Sequence, residues 1–148
     1  RRQQRLRLQT MTAAADYDAR LRGFFEQEEG ALHLALLGLG EDGHTAGLFG
    51  GVRDVPEGRY AVAVERPDGL EGVTVTPEVL RRARHVLFFV AGEGKREVVE
   101  RLQSAPRSLA AGRAVEGHPS CEVWYTVHRH ALEERSGRSG DQTAKGAS

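Results

Sequence analysis

The chain has 148 residues, 39% of them hydrophobic, and its 21 lysines and arginines are balanced by 21 aspartates and glutamates. That length supports one domain with its own core, and the balanced charge leaves no long-range field to draw in nucleic acid or an anionic membrane. No apolar run is long enough to span a bilayer, no apolar core follows the basic N-terminus as in a secretory leader, and the single cysteine, Cys121, allows no intrachain disulfide, which together fit a cytoplasmic protein.

Residues 1–11 read as a basic, frayed end, because Arg1, Arg2, Arg5 and Arg7 crowd a polar stretch. From Thr12 the spacing predicts a helix: Tyr17, Leu21, Phe24 and Phe25 recur at i, i+4, i+7 and i+8. Ala31 to Leu37 is an apolar run and reads as a buried strand. It feeds the turn Gly38-Leu39-Gly40-Glu41-Asp42-Gly43-His44-Thr45. A buried strand opening into a glycine-rich turn is where α/β proteins place their ligands. Asp42 and His44 stand two residues apart there, a spacing that sets a general base beside its orienting partner.

Gly47, Gly50, Gly51, Pro56 and Gly58 then make the chain turn-rich. Tyr60 to Glu65 reads as a strand, Pro67-Asp68-Gly69 as a turn, and Val73 to Thr76 as a short β-prone run. Thr76 caps a helix expected over Pro77 to Arg84, with Val79, Leu80 and Ala83 inward. His85 to Ala91 is a second near-continuous apolar strand, the pattern of a parallel strand covered on both faces. Gly92-Glu93-Gly94-Lys95 turns into a helix with Val98, Val99 and Leu102 on one side. Glu122 to Val127 is the last strand, with Trp124 in the core. Cys121 has no base beside it in sequence and reads as a small residue at a strand edge. The Ser, Gly, Lys and Arg composition from Arg135 to Ser148 predicts a disordered tail. Strands alternating with helices give the fold class: one α/β domain over residues 12–134, a layered and mainly parallel sheet flanked by helices.

Gly38-x-Gly40-x-x-Gly43 also matches a dinucleotide fingerprint, with Glu65 near the place of a ribose-binding acid. That fold needs a crossover helix straight after the third glycine. Four glycines and a proline lie between His44 and Tyr60, at a cost of about 1 kcal/mol per glycine and about 3 for proline in a helix interior. Asp42 would also set a negative charge beside the pyrophosphate. A dinucleotide is therefore not expected.

The run LLGLGEDGHTAGLFGG, Leu36 to Gly51, resembles the strand–loop signature LLGxGxDGHTASLFPG of the 6-phosphogluconolactonase family. A second stretch, VTVTPEVLRRARHVLFFVAGEGK from Val73 to Lys95, is similar to the same family's strand, helix, strand and glycine–lysine turn. The resemblance covers roughly Ala13 to Leu132. It implies a layered α/β fold similar to the amino-sugar phosphate isomerases. It also implies hydrolysis of 6-phosphogluconolactone to 6-phosphogluconate without metal or organic cofactor. His44 suits the general base, since a free imidazole titrates near neutrality. Asp42 would orient it, and the N–H groups of Gly40 and Gly43 would face the developing oxyanion. Thr45, Lys95 and Arg66 complete the expected substrate contacts. Lys95 lies where a strand turns through glycines into a helix, a geometry suited to phosphate.

Three residues depart from the family pattern: Gly72 stands for its arginine, Gly47 for its serine and Gly50 for its proline. The family begins with a strand and a phosphate-holding loop that has no counterpart before Thr12. The chain therefore reads as the C-terminal part of the fold, a fragment or one half of an assembly, with weak or no lactonase activity alone. Two other functions compete. One is a sugar-phosphate-binding module without catalysis. The other is an amino-sugar phosphate deaminase, whose DGHIAFNEP-type motif has a glutamate five residues after the histidine, where this chain has Phe49. His128 and His130 form only a weak metal pair, and His33, His85 and His118 read as structural.

Overall fold

The computed structural model describes residues 1–27, 30–50 and 55–127. The His128 and His130 pair and the expected tail lie outside the described residues. Five strands and four α-helices follow in chain order among those residues: α1 (Arg2–Phe25), β1 (Leu32–Leu37), β2 (Ala61–Glu65), β3 (Glu71–Val75), α2 (Pro77–Arg81), β4 (Ala83–Ala91), α3 (Arg96–Ser104), α4 (Ala110–Ala114) and β5 (Cys121–Thr126). The main sheet is parallel, in the order β1-β4-β5, with Leu36 opposite Leu87 and Phe89 opposite Trp124. β2 and β3 form a separate antiparallel pair, Ala61 opposite Val75. The expected layered, mainly parallel α/β domain is present, with this hairpin set outside its sheet.

The core lies on one face of the parallel sheet. Ala35 and Leu37 of β1, and Val86, Phe88 and Val90 of β4, point into it. Val98, Val99 and Leu102 of α3 close it from the helix side, at the positions their spacing indicates. Val79 and Leu80 of α2 and Ala83 do the same. A fully buried side chain such as Phe88, 1% exposed, contributes about 1.5–3 kcal/mol. The short helix α4 has no sequence signal. Its Gly112 packs on the Pro106 carbonyl so closely that a Cβ there would collide with it.

Several expectations need correction. The helix expected over Pro77 to Arg84 ends at Arg81, and Ala83 already opens β4. The first helix starts at Arg2, so the stretch read as frayed forms its first, mostly exposed turns. Its inward stripe is Ala14, Asp18, Leu21 and Phe25, while Tyr17 and Phe24 are exposed. Trp124 is not in the core: it is 58% exposed, on the other face of the sheet. Among the described residues the parallel strands are covered on one face, and α1 packs mainly against β2 and β3.

Candidate active site

Parallel pairing puts the ends of β1 and β4 at the same edge of the sheet, so the loops that follow them, Gly38 to Phe49 and Gly92 to Lys95, emerge side by side. The first loop is held from within and from below. The Thr45 hydroxyl donates to the Gly38 carbonyl at 2.8 Å, and the Gly40 N–H donates to the His44 carbonyl at 2.8 Å. Gly43 adopts φ 85°, a conformation that favours glycine, and its carbonyl accepts from Ala111 N–H at 2.9 Å, which anchors the bend on α4. The Gly47 N–H donates to Thr74 Oγ1 of β3 at 2.9 Å.

His44 Nδ1 lies 2.5 Å from Asp42 Oδ1, and the His44 backbone N–H donates to the same oxygen at 3.2 Å. An ionised carboxylate can only accept, so Nδ1 carries the proton and the neutral ring keeps its lone pair on Nε2. Burial pushes the Asp42 carboxyl up, but the hydrogen bonds from the His44 ring and backbone, together with the charge the ring carries when protonated, outweigh it and hold the carboxyl below the usual range. Gly40 makes the pairing fit. A Cβ there would run into the His44 ring, and would lie only 2.5 Å from Asp42 Oδ1. Phe49 packs on the imidazole with ring centroids 4.6 Å apart and limits its rotation. The pair opens on a cleft of about 540 Å³, walled by Phe49, Val64, Arg66, Gly72 and Val73.

The other sequence-derived residues separate. Arg66 lines this cleft, its guanidinium 3.0 Å from Asp68 Oδ2. Gly72 lines it too, and the space a Cβ would fill there is bordered by the Arg66 side chain at 3.8 Å. Lys95 is half-buried beside the bend and donates to the Leu39 carbonyl at 2.9 Å, outside the walls of the His44 cleft. The N–H groups expected to face an oxyanion are engaged elsewhere: Gly40 with His44, and Gly43 with the Gly40 carbonyl at 2.9 Å. Thr45 is 1% exposed with its hydroxyl committed, so it holds the loop. Phe49 and Thr74 escaped sequence reasoning, because each acts across a loop with no periodic signal. Among the described residues no helix follows Gly43 before β2, which speaks against the dinucleotide geometry.

The other described histidines are tied into the scaffold or lie on its surface. His118 donates from Nε2 to the Ala83 carbonyl at 2.8 Å and accepts at Nδ1 from the Ser120 N–H at 3.1 Å. His85 meets the Ser120 hydroxyl at 2.8 Å, and His33 is exposed. Cys121 opens β5, and its thiol is pushed up by partial burial and by the Glu122 carboxylate, away from a nucleophile. Among the described residues no three His, Cys, Asp or Glu side chains cluster as a metal site.

A parallel α/β domain that holds an acid–histidine pair on the bend after its first strand, over a cleft at the strand ends, defines the class. The family of glucosamine-6-phosphate isomerases and 6-phosphogluconolactonase matches residues 2–124. The chain belongs to that family. It is 41% identical over 98 residues to a 6-phosphogluconolactonase of Synechocystis sp., covering 60% of this chain and 41% of that one. It is 34% identical over 119 residues to the human 6-phosphogluconolactonase, covering 76% and 46%. The crystal structure of 6-phosphogluconolactonase from Leishmania guyanensis superposes with a TM-score of 0.62 at 26% identity, covering 77% of this chain and 49% of that one. A monomeric glucosamine-6-phosphate deaminase shares the fold, with a TM-score of 0.59 at 15% identity. The chain spans less than half the length of these two curated relatives.

Proposed function

We propose that the cleft at His44 hydrolyses 6-phosphogluconolactone to 6-phosphogluconate. The observation that supports this most is the Nδ1 contact with Asp42, which leaves Nε2 as the acceptor on a ring that lines the cleft. Nε2 takes a proton from a water molecule as the water oxygen attacks the lactone carbonyl carbon. The tetrahedral intermediate collapses with loss of the ring oxygen. That oxygen takes the proton back from Nε2, the ring opens, and the imidazole returns neutral. A base so placed is typically worth about 10²–10⁴-fold. Arg66 meets the phosphate by exchanging its Asp68 partner for it. Lys95 joins only by releasing the Leu39 carbonyl. The steps use no cofactor. Cytoplasmic placement belongs to this reading too; no helix among the described residues is long and apolar enough to cross a membrane.

Lactone opening should be followed with the chain alone and with the unmatched portion of the Synechocystis enzyme added. The expected result is a rate above the spontaneous one, strongest in the combined sample and lost with His44→Gln. Equal rates for wild type and His44→Gln contradict the proposal. The engaged Lys95 favours a second reading, sugar-phosphate binding without catalysis. It takes over if 6-phosphogluconate binds while the lactone opens no faster than in buffer. Phe49, tilted against the imidazole, occupies the sequence position where a deaminase-type motif places its carboxylate, so no ammonia release from glucosamine 6-phosphate is expected.

A further inference from the structure

The turn after β4 is fastened to β5 at a single residue. Gly92 adopts φ 108° and ψ 147°, a backbone conformation that glycine reaches without strain, although the space around it is open. Both of its polar groups are held by β5. The Gly92 N–H donates to the Thr126 carbonyl at 2.9 Å, and the Gly92 carbonyl accepts from the Tyr125 hydroxyl at 3.0 Å. The same carbonyl accepts from the Lys95 backbone N–H at 3.2 Å, which closes the 3-10 turn Glu93–Lys95. A carbonyl oxygen has two lone pairs, so both donors are served at once.

Tyr125 lies opposite Val90 in the parallel register, its half-buried ring packs against the core, and its hydroxyl reaches past the end of β4. A phenylalanine would pack as well, so the hydroxyl serves the turn. On the far side of that turn Lys95 Nζ donates to the Leu39 carbonyl at 2.9 Å, at the root of the bend that carries Asp42 and His44. One line of contacts therefore runs from Tyr125 through the Gly92 carbonyl and Lys95 to the bend. The two loops are close: a Cβ on Gly94 would lie 3.5 Å from Glu41 Oε1. A turn free to drift can carry the Lys95 ammonium to that carboxylate, where it is no longer offered to an anion.

We propose that Tyr125 is a positioning residue for anion binding: its hydroxyl fixes the Gly92 carbonyl, so that Lys95 stays beside the bend while its ammonium exchanges the Leu39 carbonyl for a phosphate. The inference rests on the proposed reading of Lys95 as a phosphate contact, and it adds a residue of another strand, outside the walls of the His44 cleft. A lysine held in place before the anion arrives loses less freedom when the anion binds. The hydroxyl touches none of the reacting atoms, so its effect falls on binding and KM and not on kcat.

Titration calorimetry with 6-phosphogluconate tests this without any turnover. Tyr125→Phe keeps the ring and its packing and removes only the hydroxyl, so the chain should remain folded, as its circular dichroism will show. The expected result is an affinity about threefold to tenfold lower, the worth of one hydrogen bond. In the Lys95→Ala background the same substitution should change nothing, because no ammonium is left to position. KM for the lactone should rise by the same factor, with kcat unchanged. Equal affinity in Tyr125→Phe and the parent overturns the proposal. So does the same loss in both backgrounds, which marks a merely structural hydroxyl, and so does a chain that binds no 6-phosphogluconate. If the affinities behave as expected while the lactone opens no faster than in buffer, the hydrolysis fails and the role of Tyr125 stands. If the lactone opens and Tyr125→Phe matches the parent in affinity and KM, the role of Tyr125 fails alone.

Discussion

Two aspartates organise this molecule, and they do opposite work. Asp18, in α1, is 3% exposed. It accepts from the backbone N–H groups of Tyr60 at 2.6 Å and Ala61 at 3.2 Å, and from the Arg59 guanidinium at 3.1 Å. Arg22 adds a second cation at 3.6 Å. Burial pushes the Asp18 carboxyl up, but these hydrogen bonds and the Arg59 charge pull it below the usual range. Asp42 also lies below that range, yet its side chain is 58% exposed and its partner is an imidazole. A guanidinium never gives up its proton, so Asp18 can only fasten α1 to β2. An imidazole can, so Asp42 sits next to a group able to move protons. The same acid is a rivet or an orienting group according to whether its partner titrates.

The largest effect expected from separating the two roles is at Gly40. Gly40→Ala drives a methyl into the His44 ring and the Asp42 carboxylate. The proposed hydrolysis should fall about 10²–10³-fold, within the range a positioned base supplies. The melting midpoint should move little, because the core is untouched. A Gly40→Ala protein of normal rate would show that the Asp42–His44 geometry is not used.

Asp18→Ala should do the reverse. It strands two buried N–H donors and a guanidinium, and is expected to cost about 3 kcal/mol in denaturant unfolding. Any loss of hydrolysis should vanish under conditions where the variant is folded. The folded-state Asp18 carboxyl titrates below its unfolded value. Its stabilisation is therefore fully present above the unfolded value and is lost as the pH falls through the folded one. Acid unfolding should thus be less steep in Asp18→Ala than in the parent. Identical acid limbs would remove Asp18 from the account of α1 docking.

The smallest effect is expected at Lys95. Lys95→Ala should raise KM for the lactone about tenfold, the worth of one charge-assisted hydrogen bond, and leave kcat nearly unchanged. An unchanged KM would mean that Lys95 serves only the Leu39 carbonyl and that Arg66 carries the phosphate alone.

The contrast also shows what a sequence makes legible. Asp42 and His44 are two residues apart, and the glycines that let them meet adjoin them, so the pair could be read directly. The parallel strands were visible for a similar reason, as short apolar runs bounded by glycine turns. Asp18 reaches a partner 42 residues away. A polar residue in the centre of a helix's buried stripe disguised that stripe, which is why Tyr17 and Phe24 were expected inward. Trp124 misled in another way. A large ring inside a strand reads as core, and a sequence cannot say that its side of the sheet lies open among the described residues. The N–H groups of Gly40 and Gly43 were expected to serve an oxyanion because glycine permits close approach. They hold the bend together instead.

The central claim is that Asp42 fixes the His44 proton on Nδ1 and leaves Nε2 to accept one. Nitrogen-15 spectra of histidine-labelled protein, with His44 assigned by comparison with His44→Gln, read this directly. The account predicts that neutral His44 is the Nδ1–H tautomer and loses that preference in Asp42→Ala. A neutral His44 protonated on Nε2, with the same spectrum in Asp42→Ala, would contradict it.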